Sequence, residues 1–410
     1  MIRTVYENEP FAVSSDEETC LRRILKENLE GYGRRVRVVR VAGHLRLPGG
    51  TTLVIRSRKA GSASLLSWIA HADQHLRHVK ELGVVPELAG TAELGGFIAR
   101  IFCRETWRAI QSSGLLKNYH REHIKSAVIR GRIDFARLGR SGGDLSRTPC
   151  VVFSRLPRTP LNQMLSATVT YIQRDPVLRT AVGASLGPLA AIFADVAPEI
   201  DKQLLEGRRE LSRVERPFEA SLALSRLILA GAGLGSGDED PSPRFLVNLA
   251  NLFEDTIAQA LCGSYPSATS QYKVSVLRQA VSGVPAHSHY LYLDVFLPDF
   301  RGEKLIIDAK YKRKVSSSNL HQMVSYCWLT GARRAVLVCP SGQMPDRRTY
   351  VMQAGHDAPP IRIDVVEFDL GATSIEGWQL AAQRFRDSLL SDSVDIRGQG
   401  EAGHSRHSFL

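Results

Sequence analysis

The sequence predicts a multidomain chain of mixed α/β (α+β) class. A β-rich N-terminal domain is expected over residues 1–96, a mostly helical middle region over 97–240, an α/β core over 241–392 and a disordered tail over 393–410. Three observations carry this. "VRVVRVAGHLRLPGGTTLVIRSR" (Val36 to Arg58) alternates apolar and charged residues and breaks at Pro48-Gly49-Gly50, the pattern of short antiparallel strands around a turn. From about Phe97 to Leu229 apolar residues recur mostly at helical spacing. Beyond Phe245 helical and strand-like runs alternate, and 410 residues are many for a single core.

Taken in order, "SASLLSWIAHADQHLRHVKEL" follows the first strands as an amphipathic helix with Leu65, Ile69, Leu76 and Val79 on one stripe. His71, His75 and His78 lie beside that stripe, but no carboxylate or cysteine completes a ligand set, so solvated or capping roles are expected rather than a metal site. Within the helical stretch, "RGRIDFARLGR" (Arg130 to Arg140) and "CVVFSRLP" read as strands. "GAGLGSGDEDPSPR" (Gly231 to Arg244) reads as a linker. "FLVNLANLFEDTIAQAL" then reads as one helix burying Leu246, Leu249, Phe253, Ile257 and Leu261. Strands are expected near Tyr272–Leu277, Tyr290–Leu297 and Lys304–Tyr311, a helix over Asn319–Leu329, strands at Ala335–Cys339 and Ile361–Phe368, and a last helix near Trp378–Leu390. The final run "SDSVDIRGQGEAGHSRHSFL" is small and polar, as in disordered tails.

Composition narrows the function classes. Hydrophobic residues make up 43% and charged residues 23%, as in ordinary globular proteins. "MIRTVYENEPF" has no apolar signal-peptide core. Ala181–Ala194, the least polar stretch, carries Gly183, Ser185, Gly187 and Pro188 and is too short to span a bilayer. A cytoplasmic location with no membrane partner is therefore expected. The six cysteines are scattered with no CxxC pair, which argues against a zinc ribbon, an iron–sulfur cluster and a disulfide framework. The net charge is +11, and Arg100–Arg158 alone holds thirteen Lys/Arg against four Asp/Glu. Such a block suits a polyanion such as DNA, although a solvated basic face reads the same way. Arg130, Arg132 and Arg137 are its candidate DNA contacts, joined by Lys312 from the core domain.

The chemistry concentrates in "LIIDAKYKRK" (Leu305 to Lys314), where an apolar run ends in an acid followed two places later by a lysine. Burying either charge unpaired is costly. With strands over Tyr290–Leu297 and Lys304–Tyr311 and a turn centred near Arg301, paired positions sum to about 602, which sets Asp294 across from Asp308. Strict alternation puts Leu291, Leu293, Val295 and Leu297 on one face and Tyr292, Asp294 and Phe296 on the other, and places Asp308 with Lys310. Cross-strand neighbours have Cβ atoms ~5 Å apart. Two carboxylates that close need a cation, and hard oxygen donors suit Mg²⁺. A nearby lysine can orient or help deprotonate a metal-bound water and can stabilise charge on a phosphate, so the set fits metal-assisted phosphodiester hydrolysis. The literal "PD" pair, Pro298-Asp299, falls in the turn and is a decoy. Spacing alone also fits a surface ion pair at a strand end. Gln322 and Tyr326, at i and i+4 on the next helix, are placed either to approach the site or simply to pack.

Asp294, then Asp308-x-Lys310, then Gln322-x3-Tyr326 resembles the PD-(D/E)xK nuclease superfamily. With "VAGHLRLPGGTTLVIRSR", "RGRIDF", "TPLNQML", "NLFEDTI" and "IIDAKYK" in that order, roughly Arg35 to Leu390 resembles the McrC family, nuclease subunits of GTP-dependent restriction systems that cut 5-methylcytosine-modified DNA. Leu293 stands where that pattern usually has proline, and Arg56-Ser57-Arg58 where it has a "PK" segment. The resemblance implies a restriction-endonuclease-like C-terminal core with Asp294, Asp308, Lys310, Glu254 and Gln322 as catalytic residues. It also implies that Asp294, Asp308 and Ala309 hold Mg²⁺, with Mn²⁺ as a possible substitute. Glu254 matches a helix glutamate that supports the metal in relatives, and reads equally as a helix-surface carboxylate. The implied partners are duplex DNA, methylated, and a hexameric McrB-like AAA+ GTPase on which the first domain docks. The chain has no GxxxxGK[ST] and no Gly-Lys dipeptide, so it binds no nucleotide through a P-loop of its own. The competing readings are a free-standing nuclease of the same superfamily, for repair or exonucleolytic work, and a non-catalytic DNA-binding adaptor of an AAA+ motor.

Overall fold

The computed structural model describes residues 1–57, 62–72, 92–140, 142, 146–233, 244–278, 288–312, 315–341, 348–353 and 359–390. His75 and His78, most of the glycine-rich linker and the C-terminal tail lie outside these residues. The chain divides into two compact units, Met1–Leu249 and Ala250–Leu410. Both stretches read from sequence as β-rich and helical domains therefore fall within the first unit.

The first unit opens with β1 (Ile2–Tyr6), β2 (Pro10–Ala12), α1 (Ser15–Leu25), β3 (Leu29–Tyr32), β4 (Arg35–Val38), β5 (Val41–Arg46) and β6 (Thr52–Arg56). The Pro48–Gly50 break joins β5 to β6 as an antiparallel pair, while β1 adds to β6 in parallel. Ser14 starts α1 with a capping box to Glu17, and Leu21, Ile24 and Leu25 on one face of α1 join Val36, Leu45 and Ile55 in one core. Next come α2 (Ser62–Ala72), α3 (Ala92–Ser113), β7 (Asn118–Ser126), β8 (Arg132–Ile133), α4 (Phe135–Arg140), β9 (Thr148–Leu156), α5 (Pro160–Arg174), α6 (Pro176–Val182), α7 (Leu186–Ile192), α8 (Lys202–Leu205) and α9 (Glu219–Gly231). Three expectations are corrected here. "RGRIDFARLGR" is a strand only at Arg132–Ile133 and turns helical at Phe135. "NYHREHIKS" is a strand, β7, because it hydrogen-bonds along its whole length to β9. And Arg244–Asn248 is not the first turn of a helix but β10, pairing antiparallel with β5. Gly43 makes that pairing possible: a Cβ there would lie 2.0 Å from the Phe245 carbonyl oxygen.

A buried histidine–aspartate contact ties β5 to the helical layer. His44 Nε2 lies 3.3 Å from Asp175 Oδ2, and both side chains are 1% exposed. Asp175 also caps α6, accepting from the Val177 and Leu178 amides. Burial pushes its pKa upward, but the imidazole and those amides outweigh it and hold the carboxyl below its ordinary value. A depressed folded-state pKa gives stability that is present above the unfolded-state value and lost only as pH falls through the folded one. Asp175→Ala strands a buried imidazole and two amides, so a loss of about 3 kcal/mol is expected, near 10 °C in melting temperature for a unit of this size. A melting curve at pH 7 that matches wild type would show that the pair is not what joins these layers.

The second unit comprises α10 (Leu249–Cys262), β11 (Thr269–Arg278), β12 (Ser288–Phe300), β13 (Glu303–Ala309), α11 (Ser317–Thr330), β14 (Arg334–Pro340), β15 (Arg348–Met352), β16 (Ile361–Phe368) and α12 (Ile375–Leu390). Its mixed sheet runs β11-β12-β13-β14-β16-β15, antiparallel toward both edges and parallel across β13-β14-β16. As an inner strand, β13 is buried from Leu305 to Ala309, which is why its sequence reads as a continuous apolar run. Met323, Tyr326 and Cys327 of α11 pack on Phe296, Ile306 and Leu337. Phe253 of α10 meets Tyr311 and Phe368, and Phe368 meets Trp378 and Phe385 of α12. The result is a helix–sheet–helix sandwich. Buried Asp364 is a structural acid, held by Arg362 Nε at 2.9 Å, Thr349 Oγ1 at 2.8 Å and Arg334 Nε at 3.5 Å.

Candidate active site

The β12–β13 hairpin positions the acids. Arg301 and Gly302 both have positive φ (58° and 82°), as a two-residue turn of the mirror-image type requires. Phe300 pairs with Glu303, and one irregular step before Leu297 shifts the ladder to Leu297–Leu305, Phe296–Ile306 and Val295–Ile307. Pro298, with no N–H to give, lies in that step. One position further, Asp294 stands across from Asp308. Its Oδ2 accepts a 2.8 Å hydrogen bond from the Ala309 amide. Asp299 is exposed and accepts from the Gly302 amide at 2.9 Å, closing the turn away from these acids. Strict alternation does not survive along β12: Leu293 packs in the same cluster as Phe296 and Ile306. The ladder to β13 ends at Val295, and on β11 Gln271, between the residues paired with Val295 and Leu293, has a positive φ of 50°.

Lys310 Nζ lies 2.7 Å from Asp308 Oδ2, with the acid 2% and the lysine 19% exposed. Burial raises the Asp308 pKa against the opposing pull of Lys310. Asp294 rises to about 7, first through burial and then through the charges of Asp308 and Glu254, with the Ala309 amide and Lys310 working against the shift. Burial disfavours the Lys310 charge, yet the attraction of Asp308 and Asp294 prevails and its pKa moves up, so it is a cation at neutral pH. Half-buried Glu254 on α10 is raised by burial and by Asp308 and Asp255, against Lys310. Exposed Lys312 lowers the Asp308 pKa from a distance.

Helix α11 closes one side. Ser316 caps it in a box with Asn319, and Gly331 (φ 73°) ends it. Gln322 Nε2 donates to the Tyr326 hydroxyl at 2.6 Å, and that hydroxyl reaches the Tyr292 carbonyl at 3.4 Å. The pair therefore touches β12 two residues before Asp294, a link that spacing alone did not show. Burial and the Asp308 charge raise the Tyr326 pKa, keeping the phenol protonated.

The donor set suits a hard cation. Asp308 Oδ2 is buried with Lys310 as its close cation, and Asp294 is pushed up by burial and by the charges of Asp308 and Glu254. A divalent ion would relieve both, and the backbone carbonyl of Ala309 is the only donor that residue could add. Glu254 is felt electrostatically, but among the described residues no three His, Cys, Asp or Glu side chains converge as a ready-made metal cluster. All six cysteines are free.

The other candidates sit in the first unit. Arg130 and Arg132 are exposed beside the β7–β9–β8 sheet, and Arg137 is exposed on α4 with Asp134 3.6 Å away. β7 carries Tyr119, Arg121 and Lys125 across from Arg155, Phe153 and Pro149 of β9. Tyr119 and Phe153 are both mostly exposed. No described helix is long and apolar enough to cross a membrane.

A family model described as "McrBC 5-methylcytosine restriction system component" matches residues 36–340. Among solved structures, the chain is similar to one in "Refined half-complex from tetradecameric assembly of Thermococcus gammatolerans McrB AAA+ hexamers with bound McrC". That match has a TM-score of 0.58 and 16% identity and covers 95% of this chain and 100% of that one, so the likeness is one of fold. A second similar chain comes from the cryo-EM structure of the Thermococcus gammatolerans McrBC complex, with a TM-score of 0.43, 17% identity and coverage of 63% of this chain and 86% of that one. No curated protein matches the chain.

Proposed function

The chain belongs to the McrBC 5-methylcytosine restriction system component family, and on that premise we propose that it is the DNA-cleaving subunit, with a PD-(D/E)xK core formed by its second unit. The observation that carries the reading is Asp294, Asp308 and Lys310 drawn together at one end of an inner hairpin, with buried Asp308 and part-buried Asp294, both of raised pKa, beside a lysine ion-paired at 2.7 Å. Elsewhere in this unit the buried acid Asp364 is flanked by two arginines, whereas Asp294 and Asp308 share a single lysine.

Asp294, Asp308 and the Ala309 carbonyl would hold Mg²⁺ or Mn²⁺, which when bound supplies Lewis-acid activation of the phosphodiester. Because Lys310 is a cation at neutral pH, its role is to stabilise negative charge on the phosphate and orient water, not to take a proton. The Gln322–Tyr326 pair fixes the β12 backbone next to Asp294. Glu254 acts through its charge, tuning Asp294.

Duplex DNA, methylated, is the proposed substrate, and Arg130, Arg132, Arg137 and Lys312 the proposed phosphate contacts. The solved fold relative is described with McrB AAA+ hexamers. A McrB-like GTPase hexamer is accordingly the proposed motor of this chain, docked by its first unit, which stimulates GTP turnover. Cleavage of methylated duplex by the purified chain with the neighbouring-gene GTPase, GTP and Mg²⁺ tests the whole reading. Efficient cutting without any motor would favour the free-standing nuclease, and intact binding without any cutting the adaptor. Charge reversal at Arg130, Arg132 and Arg137 together is expected to weaken binding to all sequences alike and to reduce the salt slope by up to about three phosphate contacts. An unchanged slope would leave these arginines as a solvated face.

A further inference from the structure

Four and two residues before Asp294, β12 turns a pair of aromatic rings to solvent. Tyr290 and Tyr292 alternate onto one face, where β11 sets Ser275 and Lys273 directly opposite them. The intervening Leu291 and its partner Val274 pack toward the core, as does buried Leu293. Tyr290 remains 45% exposed and Tyr292 51% exposed, although burying a tyrosine ring is strongly favourable. Lys273 Nζ lies 3.6 Å from the centre of the Tyr290 ring, so a cation already stands on this surface beside a π-face. The backbone beneath is fixed, because the Tyr326 hydroxyl bonds the Tyr292 carbonyl and is itself held by Gln322.

We propose that Tyr290, Tyr292 and Lys273 form a stacking platform for an unpaired DNA strand next to the scissile phosphate. Each base has a π-face, so ring stacking holds a single strand without regard to sequence, while an ammonium takes up the backbone charge. A fully paired duplex offers no free base faces to such a surface. The inference rests on the nuclease reading and adds to it that the strand beside the cut is separated from its complement.

The test uses the full-length chain in Ca²⁺ and a fluorescent oligodeoxythymidine of about 20 nucleotides, longer than a typical single-strand site. Anisotropy titration should show the Tyr290→Ala/Tyr292→Ala double variant binding about tenfold or more weakly than wild type, with duplex affinity unchanged within about twofold. Tyr290→Phe/Tyr292→Phe keeps both rings and should bind as wild type does. Wild-type affinity in the alanine variant overturns the platform. So does a phenylalanine variant as weak as the alanine one, since stacking does not need the hydroxyls. Failure of the underlying reading shows separately: Asp308→Asn should bind the oligonucleotide as wild type does and lose cutting. If Asp308→Asn still cuts, the active-site assignment falls whatever the tyrosines do.

Discussion

Asp308→Ala is expected to lower Mg²⁺- and motor-dependent cleavage by about 10³-fold or more. The substitution removes one of the two carboxylates proposed to hold the cation, a contribution on the order of several kcal/mol, and each ~1.36 kcal/mol is tenfold in rate. It also leaves the Lys310 ammonium, 19% exposed, without the acid 2.7 Å away that now holds it. The fold should persist, because removing a like charge relieves Asp294, whose raised pKa owes its second-largest cause to Asp308. Asp294→Asn should lose cleavage to a similar degree. Lys310→Ala should lose cleavage while retaining cation binding by calorimetry, since the lysine contributes charge and not a ligand atom. Asp299→Asn is the control: an asparagine carbonyl can still accept from the Gly302 amide, so activity within about twofold of wild type is expected. Wild-type cutting by Asp308→Ala would overturn the active-site assignment, and loss of cutting in Asp299→Asn would mean that Asp299, not Asp294, is the second acid.

Much of this hairpin was legible because β13 is an inner strand. Its unbroken apolar run to an acid has few other readings, and the parallel pairing to β14 explains the helix between them. The register was legible in part. A turn centred on Arg301 gives the sum of 602, but the observed turn is Arg301-Gly302, which alone gives 603; the irregular step at Pro298-Asp299 restores the lost residue. The face assignment of Leu293 was not legible, because alternation assumes regular strand geometry throughout, and Leu293 packs in the same cluster as Phe296 and Ile306. β10 was misread for a different reason: "FLVN" has a helical neighbour, and only the approach of β5 at Gly43 makes it a strand. β7 was missed because "NYHREHIKS" has its apolar residues exposed or half-buried, leaving no hydrophobic period to detect. Gln322 and Tyr326 were visible as an i, i+4 pair, but their purchase on the Tyr292 carbonyl depends on tertiary packing that spacing cannot encode.

Raising the pH from 5 to 8 without divalent cations is expected to destabilise the β12–β13 hairpin, and Asp294→Asn is expected to reduce that loss. The folded-state pKa of Asp294 is about 7, raised by burial, then by Asp308 and Glu254, whereas an unfolded aspartate titrates near ~3.9. Below ~pH 4 both states hold the proton and the contribution is fully present. Between ~4 and ~7 the unfolded chain releases it while the fold keeps it, so stability falls by about 1.4 kcal/mol per pH unit and levels off above 7. The interval from pH 5 to 7 spans two of those units. Local amide exchange along the hairpin reads the change directly, and comparison with Asp294→Asn subtracts other titrating groups. Equal pH slopes in the two proteins would mean that Asp294 carries no such strain. Mg²⁺ should act in the opposite sense. It binds the ionised acids, so millimolar Mg²⁺ should restore protection at pH 8 and do little at pH 5, where protons compete for Asp294. The site would then hold its metal by relieving a repulsion that folding alone builds in, with cleavage failing on acidification before the fold does.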